Sequence, residues 1–257
     1  MQCRLCNNAG KLVKAHIIPE SFFRILRIDD KAPRIISDVV DHFPVRSPIG
    51  VYDEEILCET CEPKFDRFDD YGTEVLLKRK EQLFQPVFSG DKTVTFQADG
   101  IDQKLLLQFL VAVLWRASVS TQPFYKRVNL GTFEDVARSM ILNPAQPVPP
   151  AFGAVLSGWL VTEKQQTIAN GIMDPFAERW GDGINAYRVY FGQMVAYIKV
   201  DRRPFPVPLS KFALLVQNQV ALIARDFGKS KDFAVMSRTA IRSHENAQRR
   251  SSLCRTG

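Results

Sequence analysis

The chain has 257 residues, 46% of them hydrophobic and 24% charged, enough apolar content to bury a core and too much for a disordered chain. Its net charge of +6 is unevenly spread, with 14 Lys and Arg against 17 Asp and Glu in residues 1–100 and 20 against 11 in the remainder. An acidic front and a basic body suit a metal-holding module joined to a surface that attracts phosphate, although an ordinary solvated surface gives the same balance.

Met1 leads directly into Gln2, Cys3 and Arg4 with no apolar stretch of the kind a secretory signal needs. The longest apolar run, residues 105–115, contains Gln108 and is flanked by Asp102, Lys104 and Arg116. It falls short of the roughly 20 residues that cross a bilayer. A cytoplasmic protein with no membrane partner is therefore expected. In that compartment thiols stay reduced, so four cysteines in two close pairs point to metal instead of disulfides. The fifth, Cys254, lies in a polar tail and is assigned no structural role.

In chain order, Cys3-Arg4-Leu5-Cys6 reads as a metal knuckle, Asn7, Asn8 and Gly10 as a turn, and residues 11–18 as a strand ended by Pro19. A short helix is expected over 20–27. Residues 28–56 read as an irregular insertion with one or two strands, because its apolar residues are broken by Pro44, Pro48 and Gly50. From 62 to about 83 the spacing of Phe65, Phe68, Val75 and Leu76 is helical, with Pro63 near the first turn, where its missing N–H costs little. Residues 1–85 thus form one module and 86–100 a linker containing a short strand at 93–97. A second domain over 101–228 opens with a strongly apolar helix, 101–118, and continues with a helix at 133–142 and a proline-rich loop at 143–150. Strands follow at 154–163, 187–191, 194–200 and 212–216, with Gly192-Gln193 as a hairpin turn. Residues 229–257 carry seven Lys or Arg against two acids without apolar periodicity and read as a mobile basic tail. The class is α+β, a cysteine-bearing module followed by a domain of helices and antiparallel strands.

Cys3, Cys6, Cys58 and Cys61 make two C-x-x-C pairs separated by 51 residues. Each pair offers adjacent thiolates with the bite of a tetrahedral zinc site, and four thiolates close the coordination sphere. The Zn²⁺ is therefore expected to be structural. It would draw the strand bearing His16 against the residues that follow Cys61 and hold a small module that is too interrupted to fold alone.

This arrangement of a C-x-x-C, a strand containing His16-Ile17-Ile18-Pro19, a second C-x-x-C and an immediate helix resembles the HNH, or His-Me finger, nucleases. It is most similar to their zinc-bearing branch over residues 1–80. The resemblance implies a ββα-metal, treble-clef-like module that hydrolyses phosphodiester bonds. It also implies that His16 is the general base and that Glu62 ligates a catalytic Mg²⁺ or Mn²⁺. Asp66, and Asp69 or Asp70, lie one and two turns further along the helix and are candidates for additional ligands; carboxylates are favoured at a helix N-terminus in any case. Two positions depart from the family pattern. Ala15 stands where many members have a second metal-binding residue, and Glu62 stands where His or Asn is usual.

Arg202, Arg203, Arg249 and Arg250 are candidate phosphate contacts, and Arg116 is a candidate to pair with a core acid. The expected function is a divalent-metal-dependent endonuclease acting on nucleic acid, DNA before RNA, as an effector in bacterial defence or mobile-element biology. A regulatory protein or a second copy of the chain would be its further partner. The alternative is a catalytically inactive, zinc-stabilised nucleic-acid-binding or adaptor protein.

Overall fold

The computed structural model of the chain describes residues 1–27, 31–37, 39 and 43–253, without the side chains of 182 and 250–253. The chain runs through β1 (Leu12–His16), α1 (Glu20–Arg24), β2 (Arg34–Ile35), β3 (Val45–Arg46) and β4 (Tyr52–Cys58). Next come α2 (Asp66–Thr73), α3 (Lys80–Leu83), β5 (Gln85–Ser89), β6 (Lys92–Ala98), α4 (Gln103–Val119) and α5 (Glu134–Leu142). The remainder is β7 (Phe152–Leu160), α6 (Gln166–Ala169), β8 (Phe176–Arg179), β9 (Asn185–Phe191), β10 (Met194–Val200), α7 (Val207–Ser210), β11 (Val220–Asp226) and α8 (Lys231–Leu253).

The fold is α+β, with a cysteine-clustered N-terminal region and a C-terminal body of helices and strands. β1 pairs antiparallel with β4, and β4 feeds a 3₁₀ turn, Glu62–Phe65, that runs into α2. The expected helix over 62–83 forms, interrupted by a π turn at Glu74–Lys78. In β1 the inward side chain Ala15 is buried, as is Ile17 just past the strand, while Lys14 and His16 share the other face. The β1–β4 register slips: Val13 faces Leu57 but Ala15 faces Asp53, so β4 bulges outward across Glu54 to Ile56. Asp53, fully buried, fixes that bulge by accepting from the Glu55 backbone N–H at 2.8 Å. Its other oxygen accepts from the Ser120 hydroxyl, the Thr121 N–H and the Thr121 hydroxyl. One carboxylate thus ties β4 to the chain leaving α4.

Seven strands form the body in the order β5-β6-β11-β7-β10-β9-β8, all neighbours antiparallel except β11 and β7. α4 is apolar on nearly every side and is buried almost throughout, as a central core helix requires. Asp102 caps its start by accepting from the Leu105 N–H. A single apolar cluster runs from Cys3 and Leu5 through Phe22, Phe65 and Phe68 to α4 and the inner strands. α2 approaches α4 so closely that a Cβ on Gly72 would lie 2.4 Å from the Phe109 ring.

Three segments differ from what their composition predicts. Residues 86–100 are not a linker: β5 and β6 form one edge of the sheet, where Pro86 lacks only an N–H that an edge strand can spare. Residues 212–216 are no strand beyond one bridge, Val155 to Ala213. The Gln103 side chain takes their backbone bonds instead, accepting from the Leu215 N–H and donating to the Gln217 and Asn218 carbonyls, and the strand forms later as β11. Where a mobile basic tail is expected, Lys231–Leu253 is helical. Its buried positions, Asp232, Met236, Ser243 and Asn246, lie near one stripe but are mostly polar, which hides the period. Asp232 accepts from Arg188 and Tyr190, and Asn246 donates to the Val39 carbonyl. Cys254 lies outside the described residues.

Candidate functional site

The four cysteines are free thiols, and their sulfur atoms all lie within 4.8 Å of one another. Cys6 Sγ stands 4.0 Å from Cys58 Sγ, against the edge of about 3.8 Å that follows from Zn–S bonds near 2.3 Å in a tetrahedron. Each knuckle is closed by its own backbone: the Asn7 N–H donates to the Cys3 carbonyl and the Cys61 N–H to the Cys58 carbonyl, both at 2.9 Å. Asn7 takes a left-handed conformation, φ 61°, to complete the first. The Cys58 N–H donates to Cys3 Sγ at 3.4 Å, and Thr60 Oγ1 lies 3.1 Å from Cys58 Sγ. The Thr60 hydroxyl is the main reason that the Cys58 thiol is brought down to about 6, whereas burial and the neighbouring thiols push Cys61 up. The donor set and its spacing fit Zn²⁺ with no open coordination position. Among the described residues this is the one group of three or more His, Cys, Asp or Glu with ligand atoms this close.

His16 ends β1 opposite Tyr52, and the two rings meet edge to face with centroids 5.9 Å apart. The ring is half-buried, its Nε2 is shielded from solvent without a hydrogen-bond partner, and the nearby Ile49 backbone slightly opposes the effect of burial on the ring. The local chain is built to place Ile49. Ser47 Oγ donates to the Gly50 carbonyl at 2.8 Å and the Gly50 N–H returns to the Ser47 carbonyl. Gly50 has φ +84°, and a Cβ there would meet the Phe23 ring at 2.2 Å, so this turn admits glycine alone. Burial pushes the His16 imidazole below its ordinary value, with Glu20 opposing and Arg116 and Lys14 adding to the depression.

Glu62 is half-buried in the turn after Cys61. Burial pushes its carboxyl up, the nearby Asp66 and Asp69 add to this, and Arg116 opposes it. The acid whose charge acts on His16 is Glu20, at the first turn of α1, not Glu62. Arg116 acts on both His16 and Glu62 from below. It is 2% exposed, carried on α4, and its guanidinium grips both oxygens of Asp69 at 2.6 and 2.7 Å while lying over the Phe65 ring. The expected core acid for Arg116 is therefore Asp69, and this bidentate pair occupies the carboxylate that the helix spacing offered to a cation. Asp66 and Asp70 are exposed on α2.

The basic candidates lie on two elements, Arg202 and Arg203 in the loop after β10 and Arg249 and Arg250 near the end of α8. Arg203 pairs with Asp201 and donates to the Gly183 carbonyl, so its guanidinium is engaged within the loop after β10. Arg202 beside it is exposed. Arg249 is exposed near the end of α8, and the Arg250 side chain lies outside the described residues. Sequence reasoning missed Glu20, Asp53 and Tyr52. Glu20 and Tyr52 carry no motif signal, and Asp53 is one of several acids in an acidic strand.

No protein-family model, curated protein or solved structure matches the chain. Among the described residues no helix is long and apolar enough to cross a membrane.

Proposed function

We propose that the chain is a divalent-metal-dependent nuclease of the HNH type that hydrolyses phosphodiester bonds in nucleic acid, DNA in preference to RNA. The observation that carries this reading is His16, half-buried beside the Ile49 backbone with its Nε2 shielded from solvent and left without a partner. A buried acceptor without a partner costs about 1–3 kcal/mol, and burial keeps the ring neutral and able to accept a proton. The setting supports it, since the strand of His16, its antiparallel partner and the following helix succeed one another around four converging thiols.

In this reading His16 Nε2 takes a proton from the attacking water as the P–O bond to that water forms and the bond to the leaving oxygen breaks. The leaving oxygen is protonated from solvent. Tyr52, half-buried and edge-on to the imidazole, is the neighbour whose movement admits the water. Glu62 and Asp66 are the carboxylates for the cation; Mg²⁺ commonly keeps several waters and needs only one or two protein carboxylates. When bound, that cation supplies charge stabilisation to the phosphoryl oxygens and the leaving group.

One observation favours the second reading, a zinc-stabilised nucleic-acid-binding or adaptor protein: Asp69 is spent on Arg116, and Ala15 adds no ligand beside His16. Incubating zinc-loaded protein with plasmid DNA and with RNA, with and without Mg²⁺ or Mn²⁺, separates the two. Cation-dependent cleavage that is lost in Glu62→Ala is the expected result. Tight binding with intact substrate under every condition selects the adaptor.

A further inference from the structure

Lys14 is exposed on the same face of β1 as His16, two residues before it, which sets their Cα atoms roughly 6.6 Å apart along the strand. Its ammonium lies over the Tyr52 ring, 4.0 Å from the centroid, and Tyr52 is the cross-strand partner of His16. One aromatic ring therefore carries the cation on its face and meets the imidazole near its edge. A lysine on a strand normally sweeps a wide cone of rotamers, and a cation–π contact at an exposed site, worth about 0.5–1 kcal/mol, narrows it. Lys11, a neighbouring lysine, is bridged to Glu59. Lys14, by contrast, has no carboxylate within ion-pair distance among the described residues, although Glu54 lines the same shallow concavity.

We propose that Lys14, held in place by Tyr52, is the anchor for a nucleic-acid phosphate next to the one presented to His16. The inference rests on the nuclease reading for its substrate class but not for its geometry: an unpaired, positioned ammonium with three donors is a phosphate ligand whether or not the strand is cut. The anchor fixes the register of the backbone on β1 and makes Tyr52 the link between substrate and base. Lys14 is a positioning residue that acts on substrate binding and, as a nearby cation, on the basicity of His16, and it does not itself take or give the proton.

The test is binding of a fluorescein-labelled DNA duplex and a labelled single-stranded RNA to the full zinc-loaded chain, without added Mg²⁺ or Mn²⁺, across a salt series. Lys14→Ala is expected to weaken binding several-fold and to lower the slope of log affinity against log salt by about one. Lys14→Arg restores both, and His16→Ala leaves the slope unchanged. A second arm adds Mg²⁺ and compares cleavage, where Lys14→Ala raises KM more than it lowers kcat. Unchanged affinity and slope in Lys14→Ala overturn the anchor even if the wild type cleaves. A slope lowered by one with no cleavage by any form overturns the nuclease reading and leaves the anchor standing. Failure of the wild type to bind either probe overturns both.

Discussion

His16 Nε2 is buried with no hydrogen-bond partner, on a ring beside a turn that only glycine completes. Burial disfavours the imidazolium, so the neutral, proton-accepting form persists below the ordinary value of 6.5. The sign for stability follows. The unfolded chain takes up this proton first, so the contribution of neutral His16 is complete above pH about 6.5 and is lost as pH falls from there through the lower folded value. For activity, the acid limb of kcat/KM is expected below pH 6.5, and it should move upward in Lys14→Ala, which removes one of the cations depressing the ring. A pH–rate profile checks this, and an acid limb above 6.5 contradicts it. The cluster of four cysteines was legible in the sequence because residue type and spacing carry metal chemistry directly, whereas the role of His16 comes from the family resemblance and stands as a proposal. Glu20 was not legible, since its closeness to His16 comes from the turn at Pro19 that starts α1, and neither was the choice of Asp69 over Asp70 for Arg116, which a helix rotation decides.

At the scale of elements, regular alternation and turn chemistry made β9, β10 and their hairpin readable, with β10 at the expected bounds. α4 was readable from its apolar content alone. Failures fell where a side chain replaces a ladder or a polar stripe replaces an apolar one, as with Gln103 at residues 215–218 and Asp232, Ser243 and Asn246 on α8. The contact between α2 and α4 is the joint that brings the cysteine module to the sheet, and it depends on Gly72 facing the Phe109 ring. Gly72→Ala has the better intrinsic helix propensity, yet it forces the buried ring aside. The expected outcome is a net loss of about 1–3 kcal/mol in denaturant unfolding. A stabilised variant would show that the two helices are not held at this distance.

For the whole molecule, the apolar cluster continuing from Cys3 and Leu5 into α4 and the sheet has a thermodynamic consequence. Sequence spacing suggested a module over residues 1–80 whose folding depends on its zinc. Shared packing, the Asp53 bonds to Ser120 and Thr121, and the Arg116 to Asp69 pair instead couple the module to the body. Removing zinc with a chelator, or replacing Cys58 with Ser, is therefore expected to lower the midpoint of the main unfolding transition of the chain and not only to melt residues 1–80. Calorimetry of the holo and metal-free forms reads this directly. An unchanged main transition beside a separate small one would mean two independent folding units.

The central proposal is that the cysteine-clustered strand presents His16 as a base for phosphodiester hydrolysis. The most direct measurement is the Mg²⁺-dependent cleavage rate of wild type and His16→Ala, both shown to hold one zinc per chain and to share the same unfolding midpoint within error. Loss of a positioned general base is expected to slow cleavage by about 10²–10⁴-fold. Cleavage by folded, zinc-loaded His16→Ala at the wild-type rate would contradict the account.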